Sequence, residues 1–331
     1  MSEDGRELRA GFTLPVRAGG DGPTRKRARG PGYRRTSQGF YVPSSVSTDD
    51  VDQRIVEASV VVTSHHAITG WAALRWQGGR WFDGLTASGE KLPVVICVGT
   101  GNTRRQPGID VTGEGPSTEY ARWVDGLRVM DPRLAVSFQM RYAPTDFRAL
   151  VELEKAIDDD LVSIAEMEEF LTRQSGWTGI PRARRVMPRA QENSWSPQEV
   201  ETREEWEVVA ELPTPRCNAP VFDLTGRHVA TPDLIDPVHG VYGEYDGEVH
   251  LDRATRDRDL RREAALRELG LEGVTRTAAD RHDGSAFIAR LRAAYARAER
   301  RPAADRRWTL DQPSWWTPTE TVEQRRALTD E

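Results

Sequence analysis

The chain has 331 residues, 37% hydrophobic and 30% charged, with 46 Lys and Arg against 52 Asp and Glu and a formal net charge of −6. That length suits two or three domains, and that balance excludes a wholly basic nucleic-acid coat. The longest apolar runs, such as 58–62 and 92–98, are far too short to span a membrane, and the first residues (MSEDGRELRAGF) lack the apolar core of a secretory signal, so a cytoplasmic location is expected. Cys97 and Cys217 have no zinc-type spacing and read as buried thiols of a reducing compartment.

Residues 1–40 hold nine Arg and Lys against four acids, a basic arm suited to phosphate contacts or simply to solvation. Residues 1–31, rich in Gly, Pro and Arg, read as flexible. Residues 32–43 (GYRRTSQGFYVP) read as a small wing-like hairpin with Arg34 and Arg35 on one limb as DNA-contacting candidates. Residues 49–186 read as a middle α/β domain. Its expected elements are a helix over 52–62, a buried helix over 68–76 capped by Ser64, a strand over 92–98 and a loop over 99–115. Strands over 127–130 and 134–139, helices over 147–157 and 163–174, and a linker over 177–188 complete it.

Residues 187–300 read as a last domain, followed by a polar tail, 301–331, whose Trp308, Trp315 and Trp316 are candidates for docking. Ser196, Pro197 and Glu199 mark a helix start, with hydroxyl at N-cap, proline at N1 and carboxylate at N3. Strands follow at 219–224, 230–235 and 241–245, the last two joined by the turn Asp236-Pro237-Val238-His239-Gly240. A helix over 254–269 stopped by Gly270, a strand over 271–277 and a helix over 285–297 complete the order α-β-β-β-α-β-α.

Within this order Asp233 falls late on one strand, and Glu244 and Asp246, two apart, share a face of the next. Antiparallel pairing brings the carboxylates together, and such a group is costly without a cation between them. A hard divalent ion with oxygen ligands, Mg²⁺ or Mn²⁺, suits that place, with His250 within reach. Structural readings stand beside these: Glu199 as a capping residue, Asp246-Gly247 as a turn, His250 as a hydrogen-bonded histidine, and Asp259 with Arg262 as a helix-surface pair. Glu244 is the hardest to explain structurally, because its strand is otherwise apolar.

Ser196-Pro197-x-Glu199, Arg203, Pro232-Asp233-Leu234, Glu244-Tyr245-Asp246-Gly247-x-x-His250, Asp259-x-x-Arg262 and 266–270 occur in that order. Together they resemble the restriction-endonuclease-like (PD-(D/E)xK) fold, and more closely the family grouped with very-short-patch repair nucleases. The region around 65–74 is similar to the AbiEi-type abortive-infection antitoxin proteins of actinobacteria. The resemblance implies an α+β nuclease core with a mixed sheet. Asp233, Glu244 and Asp246 would serve at an Mg²⁺ site, Glu199 and His250 in proton transfer or water positioning, and Arg203 and Arg262 on phosphate. It implies a DNA endonuclease of phage defence or repair. The alternative is an inactive DNA-binding antitoxin or regulator with a cognate toxin as partner. The sequence departs from the family pattern where Asp246 stands in place of the Lys expected two residues after the third-strand acid.

Overall fold

The computed structural model describes residues 7–20, 22–63, 65–86, 88–99, 101, 103–114, 118–246, 253–281 and 283–329, with backbone only at 118, 253–259 and 303. The chain divides into two compact units, residues 1–187 and 188–331. Both mix helices with sheets. Among the described residues no helix is long and apolar enough to cross a membrane.

The first unit opens with β1 (Val16–Arg17), α1 (Arg25–Ala28), β2 (Tyr33–Ser37) and β3 (Phe40–Pro43). The expected hairpin is β2–β3, and β1 adds to it in the order β1-β3-β2, so part of the stretch read as flexible is paired. After α2 (Val51–Ser59) come β4 (Ala67–Thr69), α3 (Gly70–Trp76), β5 (Val94–Cys97), β6 (Ile109–Thr112), β7 (Ala121–Val124) and β8 (Leu127–Met130). Their sheet has the order β6-β5-β4-β8-β7. Ser64 lies outside the described residues, and Thr69 occupies the N-cap of α3 without a side-chain cap bond. The region read as a loop over 99–115 holds β6, parallel to β5.

Helices α4 (Pro132–Tyr142), α5 (Asp146–Asp158), α6 (Ile164–Arg173) and α7 (Ile180–Val186) close the unit. Two expectations fail here. Residues 134–139 are helical, not a strand: Asp131 caps the Arg133 N–H, Pro132 takes the first turn, and the stretch buries Leu134, Ala135, Ser137 and Met140 at helical spacing. The expected linker over 177–188 contains α7. Gly179 at φ 79° starts it, and a Cβ there would stand 2.5 Å from the Arg141 carbonyl. The reading of 163–174 holds: Ser163 and Glu166 form a reciprocal capping box.

The second unit begins with α8 (Pro197–Glu204), which runs into a π-helical turn over Glu205–Val209. That extra residue shifts the helical phase, so Trp206 is buried while Val208 and Val209 stay about half exposed. Strands β9 (Arg216–Cys217), β10 (Val221–Asp223), β11 (His228–Ala230), β12 (Leu234–Asp236) and β13 (Val241–Asp246) follow. Then come α9 (Arg253–Glu268), β14 (Glu272–Thr277), α10 (Ser285–Ala298), β15 (Trp308–Thr309) and α11 (Val322–Thr329).

The main sheet has the order β14-β13-β12-β9, with β12 antiparallel to both neighbours and β13 parallel to β14. The mixed sheet is as expected, but its first strand is β9 and not 219–224. The run 230–235 is likewise broken at Thr231-Pro232, where proline cannot donate to a ladder. Its first part, β11, pairs with β10 in a separate sheet completed by β15 from the tail. The tail is therefore built into the unit: Trp308 is buried, and Trp316 packs edge-on to Phe222 at 5.1 Å.

One face of the main sheet packs Leu234, Val241 and Val274 against Trp206, Phe287 and Leu291. The other packs Ile235 and Tyr242 with Leu266, Leu271 and Trp308. Gly243 is the close approach of the first layer, since a Cβ would stand 2.8 Å from the Trp206 ring. Strand alternation then puts Glu244 on the face of Tyr242, under α9.

Candidate functional site

The register of β12 against β13 pairs Leu234 with Gly243, so Asp233, one residue before β12, faces Glu244. The register of β12 against β9 pairs Leu234 with Cys217, and the Asn218 N–H donates to the Asp233 carbonyl at 2.9 Å. Glu244 in turn lies beside Thr275 of β14. Asn218, Asp233, Glu244 and Thr275 thus form a polar row across the sheet, where the neighbouring row of Cys217, Leu234, Gly243 and Val274 is apolar.

Asp233 is held by the Tyr245 N–H, which donates to Oδ2 at 2.7 Å. Burial raises its carboxyl above the usual range, against that hydrogen bond and the charge of Arg262. Glu244 is also pushed up by burial and by the charges of Asp233 and Glu263, although the Arg262 guanidinium opposes the shift. Arg262 Nη2 from α9 bonds Glu244 Oε1 directly.

Glu199, in the first turn of α8, completes the group. Its carboxylate accepts hydrogen bonds from the Trp195 N–H at 2.8 Å, the Ser196 hydroxyl at 2.9 Å and the Asn218 amide at 2.6 Å. Burial, followed by repulsion from Asp233, raises it to about 7 despite those donors. Glu199 is therefore both the capping residue that its position suggested and an electrostatic neighbour of Asp233. Three carboxyls with raised proton affinity and one guanidinium can hold a proton or a cation, or receive a phosphate at the cationic side.

Asn218 is the member of this group that the sequence reading missed. Its φ of 44° is a conformation Asn tolerates better than most residues. Its amide donates to both Glu199 and the Asn193 carbonyl. The available signal was an amide set in the otherwise apolar run Cys217-Asn218-Ala219-Pro220-Val221-Phe222.

The other expected site residues are placed differently. Asp246 lies exposed at the end of β13, opposite Thr277. His250 and the side chain of Asp259 lie outside the described residues. Arg203 is corrected as a phosphate contact. It is 1% exposed, and its guanidinium donates to Ser194 Oγ at 2.9 Å, Cys217 Sγ at 3.2 Å and the Arg189 carbonyl at 3.3 Å. Arg34, in the first unit, forks onto Glu57 at 2.6 and 2.8 Å, so its charge is already met, while Arg35 is exposed with Nε on the Ser37 carbonyl.

Among the described residues no three His, Cys, Asp or Glu side chains are grouped to hold a metal ion. Mg²⁺ commonly takes one or two carboxylates, with waters and substrate phosphates filling the rest of its shell. Asp233 and Glu244, hard oxygen donors facing one another with raised proton affinity, fit that smaller requirement. Comparison with family models, curated proteins and solved structures gives no match for this chain.

Proposed function

We propose that the second unit acts on nucleic acid as a Mg²⁺-dependent endonuclease-like module, with Asp233 and Glu244 as its metal-holding pair. The observation that carries this reading is the half-buried carboxylate pair set by the hairpin register, in which Asp233 raises the proton affinity of Glu244, under a helix that presents Arg262. When bound, the ion would supply Lewis acidity and a water of lowered pKa. Asp233 is fixed for such a role by the Tyr245 N–H, and Glu244 by Arg262. Arg262, about a third exposed, can turn from Glu244 to a phosphate oxygen when substrate displaces it, supplying the positive charge that Asp246 cannot. Glu199, near half protonated at neutral pH, limits the negative charge beside Asp233. A defence or repair setting, and a toxin partner, belong to this proposal through the resemblance alone.

The second reading is a DNA-binding protein on a retired nuclease scaffold. It is favoured by the Arg262–Glu244 bond, which neutralises one carboxylate without any ion. Incubation of supercoiled plasmid and of single-stranded DNA with Mg²⁺ or Mn²⁺, beside Asp233→Asn and Glu244→Gln, separates the two. Metal-dependent nicking that both variants lose is the expected result. An inert wild type whose DNA binding survives both substitutions establishes the retired scaffold instead.

A further inference from the structure

We propose that the first unit carries a separate binding cleft for single-stranded nucleic acid, lined by Arg17, Arg25, Arg29 and Arg104 with the ring of Phe40. The cleft measures about 820 Å³ and lies between the β1–β3 ribbon, α1 and the segment after β5. The two walls are tied by a hydrogen bond from the Gln38 N–H to Gln106 Oε1 at 2.6 Å.

The charge pattern singles this place out. Many other arginines of the unit meet acids, as Arg9 with Asp125, Arg34 with Glu57, Arg75 with Asp52, Arg105 with Asp110 and Arg185 with Asp146, or carbonyl oxygens, as Arg35, Arg54 and Arg184. The four cleft arginines have no carboxylate partner among the described residues, and no acid is among the described residues that line the cleft. They are exposed, and their like charges converge in one concavity, an arrangement that repels itself until an anion enters.

The aromatic content makes the anion more specific than phosphate alone. Arg17 lies over the Phe40 ring at 5.2 Å, which leaves a cationic and an aromatic surface side by side. Guanidinium groups along an open groove with a ring beside them match a strand that offers backbone phosphates and stacking bases together. The proposal is independent of the carboxylate site: this cleft can bind whether or not the second unit cleaves.

The test is fluorescence anisotropy of a labelled thymidine dodecamer with the full chain in EDTA, so that cleavage cannot interfere. Variants are Arg25→Gln/Arg29→Gln, Arg17→Gln/Arg104→Gln and Phe40→Leu. Four phosphate contacts predict a slope of log affinity against log salt near −2.8, falling to about −1.4 in either double variant. Affinity should fall at least tenfold in each double variant and about fivefold or more in Phe40→Leu. The double variants change exposed side chains, so their thermal melts should match the wild type. Unchanged affinity and slope in both double variants overturn the proposal. Competition by tripolyphosphate as effective as unlabelled dodecamer overturns the nucleic-acid assignment, leaving a simple anion site. Equal or tighter binding of a duplex of the same length overturns the single-strand assignment.

Discussion

Each unit holds a glutamate paired with an arginine beneath its fold, and the two pairs are tuned in opposite directions. In the first unit Arg141 is wholly buried and forks onto Glu114 at 2.8 and 2.5 Å, while the Tyr142 hydroxyl donates to the same carboxylate at 2.6 Å. Burial pushes the Glu114 carboxyl up, but these three bonds and the Arg141 charge outweigh it and hold the group below its ordinary range. In the second unit Glu244 has one bond from Arg262 and an acid, Asp233, on the next strand, and it stays above its ordinary range. A carboxylate met by three donors is a structural strut, even though the buried Arg141 Nε has no hydrogen-bond partner. An under-satisfied one keeps an affinity for a further cation, which is the physical distinction between architecture and a candidate site.

The comparison is tested most strongly at Glu114. Glu114→Gln leaves the Arg141 charge without a counter-charge in a buried place, with the Gln oxygen, the Thr178 carbonyl and the rings of Trp177, Tyr142 and Phe138, 4.9, 5.3 and 5.9 Å away, as its remaining partners. Uncompensated buried charge predicts a loss of about 3–5 kcal/mol in the first unit, read by urea denaturation followed at its tryptophans. A loss under about 1 kcal/mol would show that the pair is not the strut described here.

A smaller effect, of opposite sign in pH, is expected at Glu199. Its folded-state carboxyl, about 7, lies above the ordinary glutamate value, so the folded chain holds a proton that the unfolded chain releases. The associated stability is fully present below about pH 4.5 and is lost as pH rises through about 7, amounting to about 2–3 kcal/mol. Glu114, held low, does the reverse: its contribution is present above the unfolded value and fades as pH falls through the folded one. Gln at position 199 can keep the bonds to Trp195, Asn218 and Ser196. Glu199→Gln should therefore flatten the fall of the second unit's melting temperature between pH 5 and 8. An unaltered slope would place the raised proton affinity elsewhere.

Much of this site was legible because its signals are local. The Ser196-Pro197-x-Glu199 start, the Asp236–Gly240 turn and the Gly270 stop each depend on a few neighbouring residues, and each is found where expected. The opposition of Asp233 and Glu244 follows from the turn alone, since a fixed hairpin fixes register. What failed was long-range. Residues 219–224 read as a core strand because nothing local says that β10 pairs with β15, more than 80 residues later, while two-residue β9 takes the core position. The resemblance alone assigns Arg203 to phosphate, and nothing local in its helix shows the packing that buries it beside Ser194 and Cys217. The strand expected at 134–139 yielded to Asp131-Pro132, a helix start that was visible but outweighed by apolar content.

The smallest stability effect is expected at Glu244, and it is the most discriminating. Glu244→Gln removes a charge repelled by Asp233 while leaving an oxygen for Arg262. Arg262 is about a third exposed and is not stranded as Arg141 would be, so water can take over its charge. The same substitution that costs several kcal/mol at position 114 should change stability here by less than about 1 kcal/mol in the absence of metal. The difference should reverse with Mg²⁺ present: wild type gains thermal stability as the ion binds the folded state, and the variant does not. Equal losses at 114 and 244, with no Mg²⁺ dependence in either, would make Glu244–Arg262 a strut like its counterpart and remove the basis for a catalytic pair.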